Sequence, residues 1–168
     1  MQHASWILDL VIRDAEIKEE YSNIEKPIWF VVSANGLNQP FSTPQVTPTK
    51  SPKWNYPARL VLKFSDITTA YLYVTLCTFG NDNNVIIPLA RARVGLRTFP
   101  IQNPRQFTFP LMNVNDLSQE FSTLRLIATI SSFTPQYVTP PPYHTIQTTG
   151  GFPPPSSPFP KTNYYSNR

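Results

Sequence analysis

The chain has 168 residues, of which 40% are hydrophobic, 13% aromatic and 14% charged, and its net charge is +4. This length suits one domain with an appendage, or one large domain. A charge so small and so spread excludes nucleic acid as the main partner. Acidic residues are concentrated in the first 25 residues and basic residues between positions 50 and 125, so one surface should be acidic and another basic.

Cysteine content and the N-terminal sequence predict the compartment. The single cysteine, Cys77, excludes an internal disulfide, and no cysteine and histidine set has the spacing of a metal site. The first apolar run is short and interrupted by Asp9, no stretch is long enough to span a bilayer, and neither end carries a lipidation signal. We therefore expect a cytoplasmic protein that contacts membranes only peripherally.

Segment after segment before residue 134 has the pattern of a β-strand. In one example, Leu60, Leu62 and Phe64 alternate with Arg59 and Lys63, as in a strand with one buried and one wet face. Short strands without an amphipathic helix predict an all-β, antiparallel sandwich of about eight strands, in which Pro88 indicates an edge or a bulge. The predicted strands cover 6–12, 28–34, a weaker stretch near 39–47, 58–64, 72–76, 85–96, 107–111 and 124–130.

The composition changes abruptly near Phe133. Residues 134–168 hold nine of the 19 prolines and no acidic residue, and they show no apolar periodicity. Such a composition predicts a flexible, disordered tail rich in polyproline conformation. The predicted organisation is therefore a domain over residues 1–133 followed by a Pro-rich tail over residues 134–168.

This tail contains short patterns that proline-reading domains recognise. A preformed polyproline helix loses little entropy when it docks into an aromatic groove. Phe152–Pro155 approaches an EVH1 ligand, and Pro155–Pro158 is a bare SH3-type pattern. The alternative is a spacer without a ligand role. The Pro-Pro-x-Tyr pattern read by WW domains is formed by Pro140, Pro141, Pro142 and Tyr143.

A corner motif, SPKWN (51–55), stands directly before the alternating strand 58–64. Pro52, Trp54 and Asn55 resemble the proline-x-tryptophan-asparagine corner of C2 domains. LYVTLCTFGNDNN (72–84) is similar to the strand and third loop of that family, and LARARVGL (89–96) to the next strand. The resemblance covers roughly residues 5–133. It implies a C2-like, eight-stranded antiparallel β-sandwich in which Trp54 has a structural role.

A narrower resemblance rests on LDLVIRDAEIK (8–18), VVSANG (31–36) and SPKWN (51–55). These stretches look closest to the small plant C2 proteins of the cold-regulated and copine-associated types. Those proteins are single C2 domains, and some carry a Pro-rich tail. This resemblance implies stress or defence signalling in a plant cell.

What the resemblance implies about calcium depends on the loops. A calcium-dependent C2 domain supplies about five aspartates from its first and third loops, because calcium takes six to eight oxygen ligands. The matching positions here are Glu20 and Lys26 in the first loop, and Thr78 and Gly80 in the third, with Asp82 nearby. Calcium-independent action and no bound metal are therefore predicted. The alternative, a calcium sensor, needs an ion site built from Glu20, Glu25 and Asp82.

The family often docks on membranes through loop tips and a basic face, so exposed basic and aromatic residues are candidates here. Each basic residue near an anionic leaflet contributes roughly 1 kcal/mol, which gives weak binding to anionic phospholipid. The alternative is that these are merely solvent-facing strand positions. The candidate lipid-binding residues are Lys50, Lys53, Arg59, Lys63, Arg91, Arg93 and Arg97, with Tyr21 and Phe79 as aromatic anchors.

Catalysis is not expected. His3 and His144 cannot be placed beside Cys77 or a nucleophilic serine, and no glycine-rich loop has the context to hold phosphate. No cofactor is predicted. The predicted function is a calcium-independent C2 adaptor that makes weak contacts with anionic membranes or membrane-associated signalling proteins. The alternative is a protein-interaction module without a lipid role, whose tail binds WW, SH3 or EVH1-type domains.

Overall fold

The computed structural model describes residues 4–133, and the predicted Pro-rich tail lies outside this range. Three single turns of 3-10 helix, at Glu19–Tyr21, Ile67–Thr69 and Leu96–Thr98, are the helical elements of the described part, and none of them is long enough to cross a membrane. The strands are β1 (Ala4–Ile17), β2 (Ile28–Ala34), β3 (Phe41–Ser42), β4 (Lys53–Phe64), β5 (Tyr71–Phe79), β6 (Ile86–Gly95), β7 (Arg105–Asn113) and β8 (Asp116–Phe133).

The eight strands pair in the order β3-β2-β5-β6-β7-β8-β1-β4, and every neighbouring pair is antiparallel. Strands β6 and β7 share only two residue pairs, so the sheet folds there into two layers of four strands. Both layers bury their inner side chains in one core, for example Phe30 and Leu72 from one layer and Leu8, Leu62 and Leu126 from the other. The predicted all-β, eight-stranded antiparallel sandwich is confirmed.

Strand β4 shows why the alternation of apolar and polar residues predicts which side of a strand faces the core. Leu60 and Leu62 are buried, whereas Arg59 and Lys63 are exposed, as period-two spacing requires. Leu60 lies opposite Leu8 of β1, which is fully buried. The inner face of this layer is therefore built from aliphatic pairs that the sequence pattern indicates.

A bulge lies in β6 next to Pro88. Cys77 pairs with Pro88 and Leu76 pairs with Ala90, so Leu89 is an extra residue on β6. Proline has no N–H to donate, and a bulge is one of the few places where a strand tolerates it. The predicted edge or bulge at Pro88 is confirmed as a bulge.

At the start of β4, the corner motif joins both layers. The Trp54 indole Nε1 donates a hydrogen bond to the Pro44 carbonyl at 3.0 Å, and its ring packs on Phe30 of β2 with centroids 4.7 Å apart. Asn55 has a left-handed φ of 47°, a conformation that asparagine adopts more readily than most residues. The Pro52 carbonyl accepts a hydrogen bond from the Ala15 amide at 3.1 Å. The chain therefore changes direction at a corner whose backbone is hydrogen-bonded to β1 and whose tryptophan packs on β2.

Candidate functional site

Four connecting segments meet at one end of the sandwich, which we call the loop end. They are the first loop (18–27), the segment 43–52, the third loop (80–85) and the turn 114–115. Hydrogen bonds hold two of these segments to neighbouring strands, since the Ile17 amide of β1 donates to the Lys50 carbonyl at 2.9 Å and the Lys18 amide donates to the Phe121 carbonyl of β8 at 3.0 Å. The antiparallel order of the strands thus brings together loops that are far apart in sequence.

Lys26 connects the first loop to the third. Its Nζ donates hydrogen bonds to the Gly80 carbonyl and, at 3.0 Å, to Asn83 Oδ1. The Thr78 hydroxyl donates to the Pro27 carbonyl at 2.9 Å. Three positions that the sequence resemblance matched to calcium ligands, namely Lys26, Thr78 and Gly80, therefore lie together. They supply an ammonium, a hydroxyl and a carbonyl, and no carboxylate.

The acidic residues of the two loops have other roles. Asp82 Oδ1 accepts a hydrogen bond from the Asn84 amide at 3.0 Å and so closes its own loop. Glu19 pairs with Lys50 at 3.6 Å, and both side chains are mostly exposed. Glu20 and Glu25 are exposed. Among residues 4–133, no three His, Cys, Asp or Glu side chains lie close enough together to hold a metal ion.

An exposed aliphatic segment follows the third loop directly. Val85, Ile86 and Ile87 are 50%, 57% and 40% exposed. The Gly80 amide donates to the Val85 carbonyl at 2.8 Å, which closes the loop below them. The sequence analysis did not select these three residues. The available signal was an unbroken apolar run at a loop boundary, where strand alternation should bury only every second residue.

Ile87 also lies over Gly80. A Cβ atom at position 80 would come within 3.0 Å of Ile87 Cδ1, so this close approach favours glycine at that position. The carbonyl of the same glycine accepts the bond from Lys26. The aliphatic segment and the lysine are therefore parts of one local structure.

The two predicted aromatic anchors are both half-buried in the loop end. Tyr21 stacks on Phe121 with centroids 4.5 Å apart, and its hydroxyl oxygen accepts a hydrogen bond from Asn113 Nδ2 at 3.2 Å. Phe79 packs against Trp29 with centroids 4.7 Å apart. Each ring thus already has an aromatic partner within the fold. The exposed apolar surface at this end comes mainly from the aliphatic segment 85–87.

The structure divides the predicted basic residues among several surfaces. Lys50 and Lys53 lie at the loop end. Arg59 and Lys63 point outward from β4 in one layer. Arg59 makes a bidentate pair with Asp9 at 2.7 and 3.1 Å, and this hydrogen bonding, with the opposite charge, raises the pKa of the arginine.

The remaining three arginines lie elsewhere. Arg91 and Arg93 point outward from β6 in the other layer, and Arg97 lies in the 3-10 turn at the opposite end from the loop end. Arg93 lies over the Tyr71 ring, 4.6 Å from its centroid. A single flat membrane cannot contact all seven basic residues at once, because the outer faces of the two layers point in opposite directions.

Cys77 is a free, buried thiol, and burial raises its pKa above the ordinary value. A raised pKa keeps the thiol protonated at neutral pH, and the thiolate is the reactive form. The geometry therefore offers no activated nucleophile at this position.

No family model and no curated protein sequence matches the chain. Several solved structures are similar to it. A C2 domain of a plant extended synaptotagmin 1 has a TM-score of 0.59 at 16% identity, covering 76% of this chain and 95% of that one. A C2 domain-containing protein from a putative elicitor-responsive gene has a TM-score of 0.57 at 11% identity, covering 82% and 95%.

A third similar structure belongs to a much longer protein. Human GIVD cytosolic phospholipase A2 has a TM-score of 0.61 at 12% identity, with 80% of this chain covered and only 17% of the phospholipase. At such low identity these likenesses show the fold alone. The C2 fold predicted from the corner motif and the strand order is thereby confirmed.

Proposed function

We propose that this chain is a non-catalytic, calcium-independent C2 adaptor that docks weakly and peripherally on anionic membranes through its loop end. The observation that carries this proposal is the exposed aliphatic segment Val85–Ile87 at the boundary of the third loop. Isolated surface aliphatics are common, but three consecutive ones beside a loop are typical of an interaction site. Lys53 lies at the same end, is exposed and makes no ion pair among residues 4–133, so it adds attraction to an anionic surface.

The size of this contact is small. Burying a fully exposed valine or isoleucine contributes about 1.5–3 kcal/mol, so three half-exposed side chains contribute roughly 3 kcal/mol. Lys53 near an anionic leaflet adds about 1 kcal/mol, since Lys50 is already paired with Glu19. A total of about 4 kcal/mol corresponds to a dissociation constant of about 1 mM. Stable residence at a membrane therefore needs a protein partner, which is why we assign an adaptor role.

The position of Lys26 supports the proposed calcium independence. Its ammonium bonds to the third loop at the place where the family resemblance puts metal ligands. A like charge close to a divalent ion is strongly unfavourable, at about 4 kcal/mol per pair of unit charges at ~4 Å and an effective dielectric of ~20. The ammonium also already joins the two loops, which is what a bound ion would do.

The sequence resemblance to small plant C2 proteins favours placing this adaptor in plant stress or defence signalling. The stretches 8–18, 31–36 and 51–55 support the narrower cold-regulated or copine-associated type. The Pro-rich tail, with its Pro-Pro-x-Tyr pattern, would supply the second contact, to a protein partner. It lies outside the described residues and remains a prediction from sequence.

Liposome co-sedimentation of the full chain tests the proposal. We expect binding to vesicles containing phosphatidylserine, none to neutral vesicles, loss at high salt, and no change between calcium and chelator. Ile86→Ser should weaken binding about fivefold, as removal of roughly 1 kcal/mol of apolar burial requires. Val61→Ser is the matched control, because Val61 is 49% exposed but lies on the outer face of β4.

Three results would contradict the proposal. Calcium-dependent binding would overturn our interpretation of Lys26. Equal effects of the two serine variants would show that the loop end is not the docking surface. Absence of binding under every condition would favour the alternative, a protein-interaction module without a lipid role.

A further inference from the structure

A groove opens where β6 and β7 separate. The two strands pair only at Ala90 with Asn113 and at Arg91 with Met112, although β6 continues to Gly95. Beyond those pairs lies a cavity of about 700 Å³ that is open to solvent. It lies on the side of the sandwich and is separate from the aliphatic segment proposed for membrane docking.

The groove has an apolar floor and a basic rim. Ala92 and Val94 of β6 point inward, and Phe109 of β7 is half-buried opposite them. Arg91 and Arg93 are exposed on the outer face, two residues apart on one strand and therefore roughly 7 Å apart along it. None of the residues that line the groove is acidic.

These two arginines have no acidic partner in the described part of the chain. The ion pairs found between residues 4 and 133 involve Lys50, Arg59 and Arg125. Arg93 instead lies over the Tyr71 ring. Their positive charge is thus available to a ligand, whereas the charge of Arg59 is already used by Asp9.

The backbone beside the groove is also available. Ala92, Arg93 and Val94 pair with β5 on one side, and no strand of the described domain pairs with them on the other. Of these three residues, Arg93 directs its N–H and C=O away from β5, because Ala92 and Val94 lie opposite β5 residues whose backbone groups face β6. This free edge can accept an extended segment that adds as a strand. An added strand would place alternate side chains on the floor and on the rim.

We propose that this groove binds an extended acidic peptide that adds as a strand along the free edge of β6. Its apolar side chains contact Ala92, Val94 and Phe109, and its acidic side chains contact Arg91 and Arg93. A lipid headgroup would use the arginines but leave the apolar floor and the free backbone without a partner. A peptide satisfies all three features, so this surface fits a protein partner of the adaptor.

The test uses the full chain and a fluorescein-labelled heptapeptide that alternates glutamate and valine, measured by fluorescence anisotropy. We expect binding that is lost in a heptapeptide alternating lysine and valine. The double variant R91E/R93E should weaken binding about tenfold or more, since like charges then face each other. The double variant K63E/R97E changes the charge equally, away from the groove, and should weaken binding less than about threefold.

A peptide with N-methylated glutamates separates strand addition from charge attraction alone, because it keeps every carboxylate and loses the backbone donors that would face Arg93 in an antiparallel strand addition. It should bind at least about tenfold more weakly. Equal binding of the methylated peptide, equal effects of the two double variants, or no binding of the acidic peptide would each overturn the proposal. R91Q/R93Q replaces the charge reversal if thermal unfolding shows that R91E/R93E is unfolded.

The same variants in the vesicle assay keep this inference distinct from the proposed function. R91E/R93E should bind phosphatidylserine vesicles as well as K63E/R97E does. If the acidic peptide does not bind while R91E/R93E selectively loses vesicle binding, the groove is a headgroup site and the peptide proposal is wrong. Loss of vesicle binding in Ile86→Ser alone leaves the peptide result unaffected.

Discussion

Replacing Lys26 by methionine should destabilise the domain measurably. Methionine keeps an unbranched apolar side chain of similar length but removes the ammonium. Two acceptors then lose their donor, the Gly80 carbonyl and Asn83 Oδ1. Gly80 is buried, whereas Asn83 is exposed and can bond to water instead. The cost should therefore come mainly from the bond to Gly80.

A hydrogen bond to a charged group contributes about 1.5–3 kcal/mol, and an unsatisfied buried carbonyl costs about as much. We expect the free energy of unfolding to fall by about 2 kcal/mol. For a domain of this size, with a urea m-value of about 2 kcal/mol/M, the midpoint should fall by about 1 M. This shift is well above the error of the measurement.

Urea unfolding of the full chain, followed by tryptophan fluorescence at pH 7, measures this effect. Lys53→Met is the matched control, because Lys53 is exposed and makes no ion pair or side-chain hydrogen bond among residues 4–133. Its midpoint should stay within about 0.25 M of the parent value. Equal midpoints for the two variants would refute the view that Lys26 holds the loops together.

Two further predictions concern the corner and the opposite end of the sandwich. Trp54→Phe loses the hydrogen bond to the Pro44 carbonyl and part of the contact with Phe30. The free energy of unfolding, measured in urea, should therefore fall by about 1–2 kcal/mol. A change under about 0.5 kcal/mol would contradict the structural role of the indole. The Thr68 hydroxyl and amide hold the pKa of Asp66 below its ordinary value, so this carboxylate stabilises the fold above an unfolded pKa of about 3.9. The stabilisation is lost as pH falls through the lowered folded pKa. Thr68→Val should raise the pKa of Asp66, as NMR titration of its carboxyl carbon measures, and an unchanged titration would show that the hydroxyl contributes nothing.

The strand pattern was predictable because alternation is a local property. Residues 58–64 alternate in the sequence and in the structure, where they form most of β4. The weaker stretch near 39–47 is different, since only Phe41–Ser42 forms a strand there, with one isolated bridge from Val46 to Ile28. Pro40 and Pro44 flank that strand and remove backbone donors, which explains its shortness.

Strand ends were less predictable than strand positions. Strand β1 reaches Ile17 and β8 spans 18 residues, well beyond the alternating cores at 6–12 and 124–130. These two strands pair with each other from Ser5 with Phe133 to Ile17 with Ser122. Pairing between distant segments extends a strand past the part whose own side chains favour it.

The candidate site depended on tertiary structure more than the fold did. Family resemblance placed Lys26 and Gly80 at related loop positions, but the bond between them joins residues 54 apart in sequence. The alternating pattern of the sequence placed Arg59 and Lys63 on one face of their strand. It could not show that Asp9 already pairs with Arg59, nor that Arg91 lies in the opposite layer.

By itself, the sequence determined the positions of most strands, the side of each that faces the core, the corner motif and the lack of carboxylates at most of the positions that the resemblance matched to calcium ligands. Each of these depends on neighbours one to a few residues away, or on residue identity. Only the tertiary structure decided that Val85, Ile86 and Ile87 are all exposed and that a basic groove opens between β6 and β7. Whether a side chain is exposed, and whether two strands separate, depends on whether a segment distant in sequence packs over them. The local alternation of residues carries no information about that packing.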